Sequence, residues 1–548
     1  MAKHILFNER ARRALKSGID KASNTVKITL GPRGRNVALD RGYGGPTITN
    51  DGVSIAKEIS FKDKFENMGA EIVKEVASKT NDIAGDGTTT SVVLLQALIE
   101  EGMKHTEAGL SAMAVRHGIE SATAEAVVAL RSLAKKIGND DEVLQVATIS
   151  AESEEIGAII ADTIKEVGKD GVVTVEESQS LGIEKEVVEG LEFDRGYVSA
   201  YMVTDPGRME AVYKDPAILI TDKKISSVAE VLPILQKVAE SGKKDLVIIA
   251  EDVDGEALTT FVLNKLRGTF NVLAVKAPGY GDRKKEMLQD IAAMTGGQVI
   301  SEEVGVKFEN AVLEMLGRAQ KVIATKDSTV IVGGKGPKKD IDARIAQLRK
   351  QIEDTTSKFD KEKLEERLAK LSGGVAIIRV GAATETEMKY LKLKIEDAVN
   401  ATKAAIEEGI VAGGGVALVK AAQKVAEGFE KKKDKMDIAA RVGYEVVLRA
   451  LEMPLRQIAQ NAGTDAGVVV EKVKQAKGNA GYDAVKNEIV PDMMVAGIVD
   501  PVKVTRTGLE RAASAAAMLL TTEAAVAEEP KEEKDAPMPG GGMGDMDY

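Results

Sequence analysis

The sequence contains no cysteine and no tryptophan, and only three of its 548 residues are histidines. The absence of thiols excludes disulfides, thiolate catalysis, zinc fingers and iron–sulfur clusters. The histidines, His4, His105 and His117, are too dispersed along the chain to indicate a histidine-rich metal site. Aromatic residues make up only 3% of the sequence, so we expect cores built from aliphatic side chains and alanine.

The chain also lacks a long apolar run, and its overall charge is acidic. The longest stretch without charge is Gly87–Ile99, which at 13 residues is too short to span a bilayer. The net charge of −11 disfavours nucleic-acid binding, because neutralising phosphates requires clustered Lys and Arg. We therefore expect a soluble cytoplasmic protein that binds neither nucleic acid nor membrane.

The length of the chain predicts about three to four domains, and the periodicity predicts an α/β multidomain fold. Three short apolar runs separated by helical stretches indicate an α/β domain with a mixed or parallel sheet; they cover 217–220, 246–250 and 272–275. Runs at 37–39 and 47–49 flank a glycine-rich turn and predict a hairpin. Apolar spacing and turn residues predict helices at 8–28, 63–83, 88–108, 112–136, 339–372 (a charged pair), 385–408 and 414–427.

Two charged segments have no predicted core. The run Lys431–Lys435 is most simply a solvated linker. Residues 528–548 carry seven acidic residues against two lysines, with several Pro and Gly, and this composition predicts a disordered tail.

The motif Gly85-Asp86-Gly87-Thr88-Thr89-Thr90 opens one of the predicted helices. Free backbone N–H groups and hydroxyls at such a helix start form an anion site, and Asp86 is a hard oxygen ligand that suits Mg²⁺. An ordinary capped helix needs the same residue types, so the motif alone leaves both interpretations open.

Three further turns resemble this motif in composition. They contain Thr29-Leu30-Gly31-Pro32, Asn50-Asp51-Gly52 and Gly413-Gly414-Gly415. Together, the four turns favour a phosphate ligand more than any one does. The familiar nucleotide motifs are missing, because no G-x-x-x-x-G-K-[ST] occurs and Leu418 stands where G-x-G-x-x-G needs its last glycine.

Two predicted helices of the α/β domain carry more apolar residues than one packed face needs. The apolar side chains of Val228–Val238 cover an arc of about 160°, and those of Leu258–Leu266 cover about 200°, against the roughly 100° stripe of a helix packed on one sheet. The excess predicts either a wider core or an exposed patch that binds apolar partners.

Longer motifs resemble one family, the group I chaperonins of the bacterial GroEL type, from about residue 2 to 525. The motifs that carry the resemblance are Thr29–Asn36, Asp51–Ser54, Asn67–Ala70, Gly85–Thr90, Phe193–Tyr197, Gly255–Leu258, Lys276–Arg283 and Val411–Leu418.

The resemblance implies a fold and a function. It implies an equatorial ATPase domain (2–132 and 408–527), an intermediate hinge domain (133–188 and 376–407) and an apical domain that binds clients and the lid (189–375). It implies an ATP-hydrolysing machine that binds unfolded proteins, encloses them under a GroES-type lid co-chaperonin and assembles as stacked seven-membered rings. The cofactors implied are ATP and Mg²⁺, with K⁺ in addition.

The resemblance also implies roles for individual residues. Asp397 matches the hydrolysis carboxylate, Asp51 lies near the γ-phosphate, and Asp86 matches the Mg²⁺ ligand. The residues expected to contact nucleotide are Thr29, Leu30, Gly31, Pro32, Asn50, Asp86, Gly87, Thr88, Thr89, Thr90, Gly414, Asp483, Ala484, Val485, Ile498 and Asp500. The residues expected to bind client and lid are Tyr197, Tyr201, Leu232, Leu235, Leu258, Val262 and Leu263.

Two site residues depart from the family's usual pattern. Asn50 replaces a common Lys, which makes a cationic contact to nucleotide doubtful there, and Asp483 replaces a common Asn on the adenine side. Without the resemblance, a solvated helix residue is the favoured interpretation of Asp397, because it adjoins the buried face of its helix without belonging to it. A Mg²⁺-dependent phosphotransfer enzyme acting on a small metabolite is the alternative function.

Overall fold

The computed structural model describes residues 3–40, 46–168, 171–303, 305–355 and 357–528. Within these ranges, no helix is both long enough and apolar enough to cross a bilayer. The helices are α1 (Asn8–Val26), α2 (Gly52–Glu58), α3 (Lys64–Ala84), α4 (Thr88–Glu107), α5 (Ala112–Leu133), α6 (Asp140–Ala151), α7 (Glu154–Val167), α8 (Val228–Glu240), α9 (Gly255–Leu266), α10 (Asp282–Thr295), α11 (Lys338–Asp354), α12 (Lys358–Ser372), α13 (Glu385–Glu408), α14 (Val416–Lys432), α15 (Ile438–Ala450), α16 (Met453–Asn461), α17 (Ala466–Gln475) and α18 (Val502–Leu520).

The strands are short and fall into several separate sheets. They are β1 (Lys3–Phe7), β2 (Val37–Leu39), β3 (Thr47–Thr49), β4 (Val172–Glu177), β5 (Gly182–Val188), β6 (Gly190–Phe193), β7 (Ala211–Lys214), β8 (Ala217–Thr221), β9 (Lys224–Ile225), β10 (Asp245–Ala250), β11 (Asp252–Val253), β12 (Asn271–Lys276), β13 (Val299–Ile300), β14 (Gly317–Ala324), β15 (Thr329–Gly334), β16 (Val375–Gly381), β17 (Ile410–Ala412), β18 (Gly481–Asp483), β19 (Glu488–Val490), β20 (Val499–Pro501) and β21 (Ala524–Glu528).

The chain forms two compact units. The first unit combines residues 1–137 with 407–548, and the second unit is the continuous segment 138–406. The finer division of the second unit into a hinge domain and an apical domain stays a prediction from the resemblance.

The first unit is built mainly from helices around an aliphatic core. Helix α4 packs against α3, α15 and α18, and its side chains Leu94, Leu95 and Leu98 are fully buried. Leucine favours the helix because a side chain unbranched at Cβ loses little rotamer freedom there, and these leucines fill the close-packed core. The predicted helices at 8–28, 63–83, 88–108 and 112–136 are confirmed as α1, α3, α4 and α5, with ends shifted by three residues at most.

Both ends of the described chain meet in the first unit. Strand β1 pairs antiparallel with β21, and the register places Lys3 opposite Glu528. The predicted hairpin is confirmed as β2 and β3, which pair with Val37 opposite Thr49.

The second unit contains an eight-stranded mixed sheet. Its main path runs β12-β10-β8-β14-β15-β6, with β13 beside β8 and β7 beside β14. Strands β12, β10 and β8 are parallel, whereas β14 runs antiparallel to β8 and β15. The predicted strands at 217–220, 246–250 and 272–275 are therefore confirmed, and they are buried neighbours in this sheet. Each is a continuous apolar run because a parallel strand is covered on both faces.

A second, three-stranded sheet in the same unit has the order β4-β16-β5. Helix α13 belongs to its apolar cluster, in which Ile395, Ala398 and Val399 are buried together with Ile160 and Ile378. Spacings of three and four residues bring these side chains of α13 onto one face.

Two sequence predictions need correction. The helix predicted at 414–427 is α14, which begins at Val416 and continues to Lys432, so the run Lys431–Lys435 is a helix end followed by a 3-10 turn and not a linker. Lys432 pairs with Glu125 and donates to the hydroxyl of Tyr444. Of the predicted tail, Glu528 ends β21, and residues 529–548 lie outside the described residues.

Candidate functional site

The first turn of α4 lacks the side-chain cap found on its neighbours. Its N-cap is Gly87, in the left-handed region at φ 81°, and this residue has no side chain that could accept from the first backbone N–H groups of the helix. Helices α2 and α3, by contrast, are capped by the carboxylates of Asp51 and Asp63. The α4 N-terminus thus keeps its partial positive charge and its donors for an external anion.

Two other turns lie against this helix start. A Cβ placed on Gly52 would lie 2.5 Å from Thr89 Oγ1 and 2.8 Å from Thr88 Oγ1, so only glycine permits the turn to approach so closely. The hydroxyl oxygens of Thr29 and Thr89 are 3.3 Å apart. The structure therefore brings together residues from three of the turns that the sequence singled out.

The Asp51 carboxylate is held by its own helix. It accepts hydrogen bonds from the backbone N–H groups of Val53 at 3.2 Å and Ser54 at 3.0 Å. Asn50, directly before it, is half-buried. The position of this carboxylate is therefore fixed by the backbone of α2.

Three carboxylates influence one another electrostatically at this site. Loss of hydration and the neighbouring Asp51 carboxylate raise the pKa of Asp86, against the effect of a hydrogen bond from the Gly87 N–H. Loss of hydration and the Asp86 carboxylate raise the pKa of Asp500 to about 7, although the N–H groups of Gly414 and Gly415 donate to it. A bound cation would relieve this repulsion between carboxylates.

The acidic groups suit Mg²⁺ shared with a phosphate better than a metal held by protein alone. Among the described residues, no group of three or more His, Cys, Asp or Glu side chains is arranged to hold a metal ion. Mg²⁺ commonly takes one or two carboxylates and completes its shell with phosphate oxygens and water. The residues present fit Mg²⁺ bound together with a phosphate group.

The fourth turn reaches the same region through strand pairing. Strands β17 and β20 pair with Val411 opposite Asp500, and the N–H of Gly413 donates to the carbonyl of Ile498 at 2.9 Å. This pairing places the turn from Gly413 to Gly415 beside the Asp500 carboxylate.

Three of the residues expected on the adenine side, Asp483, Ala484 and Val485, lie on a tight hairpin formed by β18 and β19. The buried Asp483 carboxylate accepts from the N–H groups of Val485 at 2.9 Å and Lys486 at 3.1 Å, so it closes its own turn. Ala484 is buried, Val485 is exposed and Ile498 is half-buried. Asp483 thus has a structural task in the turn beside any contact with nucleotide.

Asn461 holds the loop that contains Thr29-Leu30-Gly31-Pro32, and it was not identified as a site residue from the sequence. Asn461, at the end of α16, donates from Nδ2 to the carbonyls of Lys27 at 3.0 Å and Leu30 at 2.8 Å. The loop also closes on itself, since the N–H of Gly34 donates to Gly31 at 2.8 Å. A single Asn more than 400 residues away carries no local signal of this contact.

Asp397 lies in the second unit, half-buried on α13 between the buried residues Ile395 and Ala398. It is thus in a different unit from Asp86 and Asp51, and its catalytic role stays a prediction.

The second candidate site is an apolar surface on α8 and α9, two helices in contact with each other. Leu232 is 42% exposed, Leu263 46% and Leu266 70%. Tyr201 is exposed beside them, and Lys265 on α9 donates to its carbonyl at 3.1 Å. We call Tyr201, Leu232, Leu263 and Leu266 the exposed apolar face.

The remaining apolar residues of these helices pack inward. Val231, Ile234 and Phe261 are buried in the core, and Leu235 and Leu258 lie partly against it, as does Tyr197 outside the two helices. Val262 is half-buried. The wide apolar arcs therefore serve both a core and a surface. Leu266, within one of the arcs, was missed as a site residue although it is the most exposed leucine of the face.

A family model described as the TCP-1/cpn60 chaperonin family matches residues 22–530. This range contains the four turns around Asp86, helix α13 with Asp397, and the exposed apolar face.

Proposed function

The chain belongs to the TCP-1/cpn60 chaperonin family, whose members assist protein folding as ring oligomers, and on this premise we propose that it is an ATP-dependent chaperonin of the bacterial GroEL type. It captures non-native proteins, encloses them under a GroES-type lid and releases them after ATP hydrolysis. We place it in the cytoplasm, as stacked seven-membered rings.

The observation that carries this proposal is the exposed apolar face. Three leucines stay in contact with water on α8 and α9, whose inner sides already supply a core, and Tyr201 is exposed beside them. Exposed apolar patches mark binding surfaces, and burial of apolar area is non-directional. Such a surface suits unfolded clients of many sequences, since they share exposed apolar side chains and little else.

The turns around Asp86 support the ATP dependence. When bound, ATP supplies the phosphoryl group that is transferred to water, and Mg²⁺ neutralises its charge. Asp86 would hold Mg²⁺, the first-turn N–H groups of α4 would hold phosphate oxygens, and Gly414 and Asp500 would contact the adenosine. K⁺ is proposed as an additional cation on the resemblance alone.

Asp397 is proposed as the group that orients or deprotonates the attacking water, with Asp51 as a second carboxylate near the γ-phosphate. Both assignments rest on the resemblance of their motifs. The alternative, a phosphotransfer enzyme for a small metabolite, gains no support from the family match or from the exposed apolar face.

Client capture tests the proposal directly. The purified ring is mixed with a chemically denatured protein, and the bound fraction is measured before and after addition of Mg²⁺-ATP and a GroES-type lid. Leu263→Glu is expected to weaken capture by at least about tenfold, because the new charge must be desolvated when a client binds.

Leu181→Glu is the matched control, since Leu181 is a 75% exposed leucine of the same unit that lies outside α8 and α9. It should capture clients like the parent. Equal capture by all three proteins would contradict the role of the exposed apolar face, and capture that Mg²⁺-ATP never reverses would contradict ATP dependence.

A further inference from the structure

A tight turn of the second unit presents one arginine in a fixed position. Asp205 and Glu210 form an antiparallel bridge, with hydrogen bonds of 2.9 and 3.2 Å between their backbones. The Asp205 carboxylate also accepts from the N–H groups of Gly207 at 3.0 Å and Arg208 at 3.2 Å. The turn is therefore closed from inside and leads directly into β7 of the eight-stranded sheet.

Arg208 extends from this turn to α13. Its Nη1 donates to both carboxylate oxygens of Glu396, at 2.9 and 3.1 Å. Its Nε and Nη2 face Glu210 at 3.2 and 3.3 Å, which fixes the plane of the guanidinium. The arginine thus connects the eight-stranded sheet to a helix that packs with the three-stranded sheet.

Glu396 is the less hydrated partner. Its side chain is 18% exposed, against 36% for Arg208. Burial raises the pKa of Glu396, and the Arg208 guanidinium opposes this rise. A partly buried carboxylate needs such a partner, so the pair holds Glu396 in place.

Two other ion pairs hold α13 to neighbouring elements. Lys394 lies 2.7 Å from Glu152, and Lys392 lies 3.4 Å from Glu177, the last residue of β4. Arg208 joins the same stretch of α13 to the turn before β7. Glu396 is the residue directly before Asp397, so a force on its side chain acts within one residue of the proposed catalytic group.

We propose that Arg208 and Glu396 form a latch that holds α13 against the turn Thr204–Glu210, and that they act as positioning residues for Asp397. The inference rests on the proposed function, in which α13 moves to bring Asp397 to the nucleotide. The latch must open for that movement, so its strength sets part of the rate of hydrolysis.

The first test combines hydrogen–deuterium exchange with single-turnover ATP hydrolysis. In Arg208→Gln, the turn and residues 392–397 should exchange faster, and hydrolysis should be about 2- to 5-fold faster, the range expected for one partly exposed ion pair. ATP affinity should not change. Glu396→Gln should produce the same changes, and the double variant should show no further effect, because both substitutions remove one interaction.

Two variants separate the latch from general loosening of the fold. Arg208→Lys keeps the charge and should restore most of the parent rate. Arg379→Gln removes an ion pair between Arg379 and Glu186 at 2.5 Å, within the three-stranded sheet, and should leave both exchange at 392–397 and hydrolysis at the parent level.

The absence of cysteine permits a second test. In Arg208→Cys/Glu396→Cys, a bifunctional thiol reagent matched to the span of the two side chains closes the latch covalently. The cross-linked protein should bind ATP but hydrolyse it more slowly than the same protein before cross-linking.

The outcomes distinguish the latch from the proposed function. A parent protein without ATPase activity contradicts the proposed function, whereas the exchange data still report on the latch. If the parent is active and Arg208→Gln changes neither exchange nor hydrolysis, or slows hydrolysis, the latch is wrong. Unchanged hydrolysis after cross-linking overturns it as well.

Discussion

The turns around Asp86 and the exposed apolar face are held in place by different means. The turns approach one another so closely that a methyl group on Gly52 has no room, and backbone donors fix Asp51 and Asp500. The face consists of three leucine side chains and one tyrosine that are exposed to water. Binding of one ligand in the turns thus depends on the exact positions of individual atoms, whereas binding of many partners on the face depends on how much apolar area is exposed.

This difference predicts how the two regions respond to substitution. Changes in the turns should have large effects on nucleotide chemistry and leave client capture intact. Changes on the face should reduce capture in proportion to the area lost and leave the fold intact. Client capture should therefore be measured for every variant of the turns in addition to its main assay. A loss of capture in such a variant would contradict the independence of the two regions.

The largest effect is expected from Asp397→Ala. A positioned acid–base group contributes roughly 10²–10⁴-fold to a rate, so single-turnover hydrolysis should slow by that factor while ATP affinity stays within a few-fold of the parent. Asp86→Ala is the contrasting variant, since loss of the Mg²⁺ ligand should weaken Mg²⁺-ATP binding itself. Hydrolysis by Asp397→Ala at the parent rate would make Asp51 the next candidate.

The next effect is expected from Gly52→Ala. The added Cβ would meet the Thr89 backbone nitrogen at 3.0 Å as well as both threonine hydroxyls, and a steric conflict in a packed region costs about 1–3 kcal/mol. Calorimetric titration should show weaker ATP binding. Gly428→Ala is the control, because Gly428 lies on α14 with open space around its Cβ position; it should retain ATP affinity and raise stability slightly.

Asp500 should make the stability of the first unit depend on pH. Its pKa is about 7 in the folded protein against 3.8 as the ordinary value, so between these values the folded state binds more protons than the unfolded one, and stability falls as pH rises from about 4 to 7. Asp500→Asn should remove this loss, which amounts to about 2–3 kcal/mol between pH 5 and pH 8. Thermal unfolding of parent and variant at pH 5 and pH 8, with a chelator present, measures this difference in stability. Equal pH dependence in both proteins would show that Asp500 is not the group responsible.

The smallest effect is expected from Asn50→Lys. A cation directly before Asp51 should tighten ATP binding by about 2- to 5-fold at low salt, and less at high salt because the charge is partly exposed. Calorimetric titrations of both proteins with ATP at two ionic strengths measure this change in affinity. Identical curves for variant and parent would show that position 50 does not contact the phosphates.

The fold was predictable where one period or one composition dominated a segment. The buried strands β8, β10 and β12 were found because each is a continuous apolar run between helices. The run Lys431–Lys435 misled because five polar residues indicate a loop, whereas Lys432 completes α14 by pairing with Glu125, about 300 residues away. An ion pair between residues so far apart in sequence cannot be predicted from the local residue pattern.

The candidate site was predictable to a similar degree. Glycine marks all four turns in the sequence, and a short polar residue accompanies it in three of them. The contacts among Thr29, Gly52 and Thr89, however, exist only in the folded chain. Leu266 was passed over for the opposite reason, since an apolar arc does not reveal which of its members faces water. The sequence pattern thus identifies the kinds of site, and tertiary packing selects the residues.

The pairing of β1 with β21 has a consequence for the chain during its synthesis. The first unit cannot be completed until β21 has left the ribosome, whereas the continuous second unit is complete some 120 residues earlier. At about 5–20 residues per second, synthesis of the 269 residues from 138 to 406 takes roughly 13–54 s. For at least this time, residues 1–137 lack the second part of their unit. During that time α4 has apolar side chains and no α18 to cover them. The newly made chain is therefore itself in need of protection from aggregation, and its second unit should be the first part to become resistant to protease.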